Sequence, residues 1–567
     1  MRQDTRTALY FVLAGALLYL PFLGGVHLFD WDEINFAEIS REMVVLGEYV
    51  RVFINFEPFW EKPPLFFWLQ ALSMSLWGIG EYAARFPNAV CGMVTLPLVF
   101  HLGSRLYDQR MGLLWAGAYL GSVLPFLYFK SGIIDPWFNL FIFLGLYFFI
   151  LGYWKHREMP GILLSRPQWV YFILGGAAIG LGVLTKGPVA YLIPVLCMGA
   201  YWVFQGFRMY VHIPQFLVFS GSVLAVASLW YAFFFADNFQ EFIAYQYRLL
   251  STPDAGHGGF PGYHFVVLLF GCFPASVFAV QAFFDHWSSD TGAQKDFRKW
   301  MKILFWTVLI LFSLVQSKIV HYSSLAYFPL TFLAAHSLHR IWAGTRKASR
   351  WEVAGTIGIG GLYILLLLII PFAGTHIEMI APLFQKDPFA MANLEAKVHW
   401  TGWEWLPAVA LAPGILFFIR HIRSGRVGRG SAFLFGGTAL FVMLTLIALV
   451  KRIEGYSQRA AIEFFVERKG EDCYLLPYGY KTYAHLFYAA PQQGGKACFL
   501  SEDCQQYVLN GDIDKPAYII CKINKAGELA GRADIREIRR KNGFVFFRRM
   551  PAGSHLRRTK RLSQPSI

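Results

Sequence analysis

Repeated apolar runs constrain this chain more than any other feature of its sequence. A helix needs about 20 apolar residues to cross a bilayer. With 56% hydrophobic and only 15% charged residues, a chain of 567 residues carries too little charge for a soluble fold. We therefore predict an all-α multi-span membrane protein. The predicted spans are residues 9–28, 86–104, 111–128, 136–154, 168–184, 189–204, 213–235, 264–284, 303–316, 323–338, 353–373, 404–419 and 431–450.

A further apolar run, 64–80, decides the predicted topology. It opens with Pro63-Pro64 and reaches only about 25 Å as a helix, which favours a helix lying in the membrane interface. With that assignment and a cytoplasmic N-terminus, the inner loops hold 20 Lys and Arg in 76 residues, against 10 in 131 for the outer loops. This positive-inside bias predicts thirteen spans and a C-terminus on the outer face.

The overall charge argues for a lipid environment. A net charge of +15 suits anionic lipid head groups, and the basic residues lie in short loops, so nucleic acid is not predicted as a partner. The first run, 9–28, has no small-residue cleavage site and is predicted to be a retained span.

Residues 451–567 form a second predicted unit, a small soluble α/β domain after the transmembrane domain 1–450. Apolar runs shorten to strand length at 473–476, 517–521 and 544–547, with a helical pattern at 481–489. The sequence allows either disulfides or free buried thiols for the four cysteines of this unit, Cys473, Cys498, Cys504 and Cys521. The basic stretch 557–561 is predicted to be a disordered tail.

Two adjacent carboxylates, Asp32 and Glu33, head a predicted helix directly after the first span. Ordinary helix capping by Asp32 is one interpretation. The other is a carboxylate that acts as a base or stabilises positive charge at a sugar carbon. A carboxylate pressed against a bilayer is costly unless it is paired or used, which favours function.

Further motifs fall on the same predicted outer face. Lys62, in Glu61-Lys62-Pro63-Pro64, is either a snorkelling side chain or a point charge on a phosphate. Asp135, before Pro136, either caps a span or is a second carboxylate of a site.

Cations are scarce in the outer loops, so Lys186, Arg248 and Lys318 together suit an anionic ligand, although each alone suits lipid phosphate equally. Tyr263 and Tyr322 stand at span entrances, where interface aromatics are common. His257 is a lone loop histidine, and the sequence has no HExxH motif or paired CxxC that would name a metal site.

These motifs resemble a known family. Asp32-Glu33 followed by residues 37–43, then Glu61 to Leu65, Gly80-Glu81 before Arg85, residues 184–188 and residues 317–322 are similar to the GT-C membrane glycosyltransferases. The resemblance is strongest to the aminoarabinose (4-amino-4-deoxy-L-arabinose) lipid A transferases and their protein O-mannosyltransferase relatives. It covers about residues 1–340. Relatives often carry Asp-Glu-Thr-Arg where this chain has Asp32-Glu33-Ile34-Asn35.

The resemblance implies a polyprenyl-phosphate sugar donor used on the periplasmic face of the bacterial inner membrane. It also implies a catalytic group of acidic residues, a group that binds the donor phosphate, and a pair of zinc ligands. The catalytic residues it implies are Asp32, Asp135 and Glu33. The donor-phosphate residues are Lys62, Arg248, Tyr322, Tyr263, Lys318 and Arg85, and the zinc pair is Glu61 and His257. The chemistry itself needs no cofactor.

The resulting hypothesis is an inverting glycosyltransferase whose acceptor is lipid A, a related glycolipid or another envelope molecule. A protein O-glycosyltransferase is the alternative within the class. A flippase for lipid-linked glycans is the alternative from another class, but it predicts internal repeats that the sequence lacks. A non-catalytic envelope protein predicts that Asp32 and Lys62 are dispensable.

Overall fold

The computed structural model describes residues 3–251, 258–284, 290–491 and 502–551, and within α10 the side chains of 233–243 and 245–251 are not described. The first part is helical, with one small hairpin. Its elements are α1 (Gln3–Tyr19), α2 (Asp32–Leu46), β1 (Phe53–Ile54), β2 (Glu57–Pro58), α3 (Leu65–Trp77), α4 (Glu81–Leu106), α5 (Gln109–Leu120), α6 (Val123–Tyr128), α7 (Asp135–His156), α8 (Gln168–Lys186), α9 (Val189–Phe204) and α10 (Ile213–Ser251).

The helical part continues to residue 455. It contains α11 (Tyr263–Gly271), α12 (Ala275–Phe284), α13 (Gly292–Leu314), a 3-10 helix (Val320–Ala326), α14 (Tyr327–Trp342), α15 (Arg350–Thr375), α16 (Ile377–Ile380), a second 3-10 helix (Ala381–Phe384), α17 (Pro388–Leu394), α18 (Ala408–Arg423), α19 (Val427–Thr445), a π-helical turn (Leu446–Val450) and α20 (Lys451–Gly455). Helix α8 packs against both α7 and α10, α4 packs against α1 and α5, and α18 packs against α19.

Every predicted span contains helix, but the count of thirteen spans is not confirmed. Six helices of the described residues are long and apolar enough to cross a bilayer: Glu81–Leu106, Asp135–His156, Gln168–Lys186, Ile213–Ala232, Arg350–Thr375 and Val427–Gly455. A seventh span results if α11 and α12, bent by 119° where they meet, count as one. The other predicted spans fall short for physical reasons. Helix α9 has only 16 residues, and the run 111–128 is broken between α5 and α6.

The run 64–80 contains a short helix, as predicted. Helix α3 has 13 residues, about 20 Å, which is too short for a span. Helices α2 and α3 pack against each other, and α3 also packs against α4. The first predicted span, 9–28, differs from expectation because its helix ends at Tyr19 and leaves 20–31 as a connecting segment.

The C-terminal unit carries a mixed four-stranded sheet, so the predicted small sheet exists. Its elements are α21 (Arg459–Glu467), β3 (Tyr474–Tyr478), α22 (Ala484–Ala489), α23 (Glu502–Asn510), β4 (Ala517–Lys522), α24 (Ile523–Ala530), β5 (Ile535–Lys541) and β6 (Phe544–Arg549). The strand order is β3-β4-β6-β5, with β3 and β4 parallel and the other pairs antiparallel. Strand β5 was not predicted, because its sequence IREIRRK is mostly charged, as an exposed edge strand permits.

Candidate active site

A cavity of about 1300 Å³ opens beside the start of α2. Its walls come from the segment after α1, the residues around α6, the first 3-10 helix, the π-helical turn and the loop before α22. Among the described residues, six cations line it, namely Lys62, Arg85, Lys130, Lys186, Lys451 and Lys481, together with the four carboxylates Asp30, Asp32, Glu33 and Glu61. A cavity so rich in cations suits an anionic ligand.

Asp32 is the first residue of α2, and its side chain is 30% exposed towards this cavity. The helix is preceded by Trp31, and no side chain caps its N-terminus, so the capping interpretation of Asp32 is wrong. His321 Nε2 lies 3.3 Å from Asp32 Oδ2. Burial lowers the pKa of His321, although the carboxylates of Asp135 and Asp32 oppose that shift. A neutral His321 can orient the carboxylate of Asp32 and leave it able to accept a proton.

Glu33, in contrast, is saturated with hydrogen bonds. Its two carboxylate oxygens accept from Arg85 Nε and Nη2 at 2.9 and 2.8 Å, from the amide N–H of Gly132 at 2.6 Å and from that of Phe29 at 3.0 Å. Burial by itself raises the pKa of Glu33, but Arg85 and the two amides outweigh it and hold that pKa below its ordinary value. Glu33 therefore serves as a permanent anion that fixes the loops around Asp32.

Arg85 has all five of its N–H groups occupied. Two are donated to Glu33, and the remaining three go to the backbone carbonyls of Leu23, Val26 and His27 at 2.7, 2.8 and 3.0 Å. The guanidinium is buried and ties α4 to the segment that follows α1. It has no N–H left to donate to a donor phosphate in this arrangement, so its role here is to hold the loop in place.

Asp135 and Lys186 form a second buried pair. Lys186 Nζ, at the end of α8, donates to Asp135 Oδ1 at 2.7 Å and lies 5.4 Å from the ring centre of Tyr322. Asp135 is only 2% exposed, and its Oδ2 has no hydrogen-bond partner among the residues the structure describes. Lys186 and Tyr322 line the cavity, whereas Asp135 lies behind them. Asp135 thus positions a cavity cation.

Lys62 and Glu61 both line the cavity, between the β1–β2 hairpin and α3. The side chain of Arg248 and all of His257, which were predicted to act with Lys62 and Glu61, lie outside the described residues. Within the described ranges, no cluster of three or more His, Cys, Asp or Glu side chains could hold a metal ion. The zinc pair Glu61 and His257 stays a prediction.

Two predicted phosphate ligands lie outside the cavity lining. Lys318 Nζ donates to the carbonyls of Phe312, Ser313 and Val315 at 3.3, 2.7 and 2.5 Å and so caps the C-terminus of α13. This is a favourable place for a cation, because helix C-termini carry partial negative charge. Tyr263 begins α11 and packs edge-on against His264, with ring centres 5.2 Å apart.

The C-terminal unit supplies a part of the cavity that was not predicted from the sequence. Lys481 Nζ lies 3.9 Å from the ring centre of Trp31, and Tyr483 packs edge-on against the same ring at 5.2 Å. Asp30 accepts hydrogen bonds from Thr482 Oγ1 and, at 3.2 Å, from the amide of Tyr483. Burial raises the pKa of Asp30 to about 6. The one available signal was Asp30 itself, a third carboxylate two residues before Asp32.

Lys130 was also missed. Its Nζ donates to the carbonyls of Leu18, Tyr19 and Pro21 at 3.2, 3.1 and 2.6 Å, so it caps the C-terminal end of α1. Burial lowers the pKa of Lys130 to about 8, with a smaller contribution from the charge of Arg85. It orders the cavity wall at the point where α1 ends.

Comparison with known proteins supports the resemblance found in the motifs. The family model described as dolichyl-phosphate-mannose-protein mannosyltransferase matches residues 61–232. An undecaprenyl phosphate-alpha-4-amino-4-deoxy-L-arabinose arabinosyl transferase from Erwinia tasmaniensis is 27% identical over 416 residues, which cover 69% of this chain and 70% of the relative. The protein of the same description from Edwardsiella ictaluri is 28% identical over 375 residues, 63% and 64% of the two chains.

Solved structures show the same fold over nearly the whole chain. The crystal structure of ArnT from Cupriavidus metallidurans bound to undecaprenyl phosphate superposes with a TM-score of 0.76 at 18% identity, covering 96% of this chain and 98% of the other. Its apo form gives 0.70 with the same coverage. The chain is thus similar in sequence to the arabinosyl transferases and shares the fold of ArnT. The resemblance to the aminoarabinose transferases is thereby confirmed, and the shared fold includes the C-terminal sheet unit.

Proposed function

We propose that this chain is an inverting glycosyltransferase that moves a sugar from a polyprenyl-phosphate donor to an envelope glycolipid, with lipid A as the first acceptor to test. The observation that carries the proposal is the cavity, where the accessible carboxylate of Asp32 shares walls with Lys62 and Lys186. Two comparisons support it: the relatives described as arabinosyl transferases and the fold of a structure bound to undecaprenyl phosphate. The relatives make 4-amino-4-deoxy-L-arabinose the first sugar to test.

The donor phosphate would lie at the end of the cavity formed by Lys62, Lys186 and Tyr322. Lys186 is held in place by Asp135, so its ammonium is preorganised for the negative charge that grows on the leaving phosphate. Arg248 is a further predicted contact. The apolar lining, which includes Leu124, Tyr128 and Ile134, suits the first part of a prenyl chain.

The transfer itself exchanges one bond at the anomeric carbon. The acceptor oxygen attacks that carbon from the face opposite the phosphate, while the bond to the phosphate oxygen breaks and polyprenyl phosphate leaves with the electron pair. If the acceptor is a hydroxyl, its proton passes to Asp32, which His321 orients at 3.3 Å. If the acceptor is a phosphate, it is already ionised, and Asp32 positions it and stabilises positive charge at the sugar.

The thirteen-span topology, with a cytoplasmic N-terminus and a periplasmic C-terminal unit (451–567) after the membrane domain (1–450), belongs to this proposal. Two observations support it. The cavity is lined by residues from the loops that charge counting placed outside. Cys504 is disulfide-bonded, as an oxidising compartment allows, although Cys473 and Cys521 are free thiols. Transfer needs no cofactor, and a zinc ion at Glu61 and His257 would be structural.

A protein O-glycosyltransferase is the second candidate. The match of residues 61–232 to the protein mannosyltransferase model favours it, because the model covers Lys62, Asp135 and Lys186. The donor end of the cavity would serve both functions equally. The two candidate functions differ only in the acceptor.

Lipid A mass spectrometry in the native host tests the proposal. The gene is deleted and then restored as wild type, Asp32→Asn or Asp472→Asn. Asp472 is 85% exposed on the C-terminal unit and serves as the matched control. We expect a pentose- or hexosamine-sized mass that disappears on deletion and returns with wild type and Asp472→Asn only. An Asp32→Asn protein with full transfer would refute the role of Asp32. Lipid A that is unchanged by deletion would refute the lipid A acceptor and direct the search to envelope glycoproteins.

A further inference from the structure

The segment that leads into Asp32 is tied to α20 and to the C-terminal residues that follow it. Five hydrogen bonds connect residues 27–30 to residues 454–488. They join His27 Nδ1 to Glu454 Oε1 at 2.5 Å, Leu28 N to Tyr488 Oη at 2.7 Å, Gln458 Nε2 to Leu28 O at 2.8 Å, the Tyr483 amide to Asp30 at 3.2 Å, and Thr482 to Asp30. The position of Asp32 is therefore set jointly by the membrane part and by residues more than 400 positions later in the chain.

Lys481 lies at this junction. Its ammonium sits 3.9 Å from the ring centre of Trp31, within the range of a cation–π contact, and it lines the cavity. The neighbouring Thr482 and Tyr483 are fastened to Asp30, so the backbone that carries Lys481 is anchored on both the ring and the carboxylate. A cation held in this way is preorganised for an anion that enters the cavity.

Cations from two parts of the chain lie around Asp32. Lys481 of the C-terminal unit contacts the ring of Trp31, the residue before Asp32. Lys186, at the end of α8, contacts the ring of Tyr322, and the neighbouring His321 lies 3.3 Å from Asp32. An inverting transfer needs a separate cation for each phosphate, because the nucleophile and the leaving group lie on opposite faces of the anomeric carbon.

We propose that Lys481 is an acceptor-recognition residue, which pairs with a phosphate monoester on the acceptor while Lys62 and Lys186 hold the donor phosphate. This inference rests on the proposed function and adds a specificity determinant to it. It assigns acceptor choice to the C-terminal unit, and it selects a phosphorylated glycolipid over an uncharged serine or threonine hydroxyl of a protein.

Steady-state kinetics of the purified full chain in lipid nanodiscs tests the proposal. Undecaprenyl-phosphate aminoarabinose serves as the donor and bis-phosphorylated lipid A as the acceptor, each titrated at saturation of the other. The variants are Lys481→Ala and Lys481→Arg, with Lys525→Ala as the control. Lys525 is an exposed lysine of the same unit that pairs with Glu528.

For Lys481→Ala we expect the KM for lipid A to rise about tenfold or more, as the loss of a charge-assisted hydrogen bond predicts. The KM for the donor should change less than about twofold. Lys481→Arg should restore most of the acceptor affinity, and Lys525→Ala should match wild type. Thermal stabilisation by undecaprenyl phosphate should be equal in wild type and Lys481→Ala, which shows that the variant is folded with an intact donor end.

Other outcomes overturn the inference in distinguishable ways. An unchanged acceptor KM in Lys481→Ala, with wild type active, refutes the role of Lys481 and leaves the proposed function standing. A raised donor KM assigns Lys481 to the donor end instead. Loss of stabilisation by undecaprenyl phosphate in both Lys481 variants shows that the residue is needed for the fold of the site. A wild type that transfers nothing to lipid A refutes the proposed function and, with it, the inference.

Discussion

Replacing Glu33 by Gln should destabilise the protein strongly, although the two side chains have nearly the same shape. Four N–H donors point at the two carboxylate oxygens of Glu33, two from Arg85 and one each from Phe29 and Gly132. An amide turns its own NH₂ group towards two of these donors and leaves the buried guanidinium without its counter-charge. Breaking one partner of a buried ion pair costs about 3–5 kcal/mol, which is the loss expected here in the free energy of unfolding.

Unfolding in mixed micelles by titration with SDS measures this loss. Glu57→Gln is the control, because Glu57 is an exposed carboxylate in β2, between α2 and α3. The double variant Glu33→Gln/Arg85→Met should recover part of the loss, since it removes the unpaired buried charge as well.

The difference in the free energy of unfolding between wild type and Glu33→Gln should depend on pH, because the pKa of Glu33 is lowered. The folded-state pKa lies below the ordinary value of 4.5, so the carboxylate contributes stability above that value. The advantage of wild type over Glu33→Gln should therefore be complete at pH 7 and decline as the pH falls through the folded-state pKa. The structural role of Glu33 would be refuted by a variant that unfolds like wild type but has lost transfer activity by more than about a thousandfold.

Three further predictions concern other ionisable groups. Because burial raises the pKa of Asp30 to about 6, wild type should lose stability relative to Asp30→Asn as the pH rises from about 4 to 7, in paired unfolding curves. Lys318→Met should lower the free energy of unfolding by about 1–2 kcal/mol through the lost helix cap, and it should leave the KM for the donor unchanged. Lys62→Met should raise the KM for the donor about tenfold. Equal KM values for the donor in the two variants would contradict these assignments. Asp135→Asn should lower kcat/KM for the donor about tenfold, because Lys186 loses its partner, and a variant with wild-type donor kinetics would show that this pair is unimportant.

Much of the candidate site could be predicted from local sequence. Asp32 and Lys62 stand out because charged residues at the edge of apolar runs are few, and each lies in a short motif that resembles a known family. Local sequence could not separate Asp32 from Glu33. The two residues are adjacent, but the helix turns Asp32 to the cavity and Glu33 onto Arg85. That difference depends on where α4 lies, 50 residues later in the chain.

Local sequence also could not separate the roles of the cations Lys62, Arg85 and Lys318. All three were predicted to bind the donor phosphate. In the structure Lys62 lines the cavity, Arg85 is occupied by Glu33 and three carbonyls, and Lys318 caps α13. A charge becomes a ligand or a structural clamp according to which carbonyls and carboxylates surround it, and those neighbours come from distant parts of the chain.

Local sequence was enough to predict a membrane protein with apolar helices, shorter strand-like runs after residue 450, and motifs that resemble the GT-C glycosyltransferases. The helices and strands follow from local hydrophobicity and spacing. The completion of the cavity by Lys481 and Tyr483, around Trp31 and Asp32, became visible only in the folded chain. Contacts between residues some 450 positions apart leave no trace in local periodicity, because they depend on how the C-terminal unit packs onto the segment before α2.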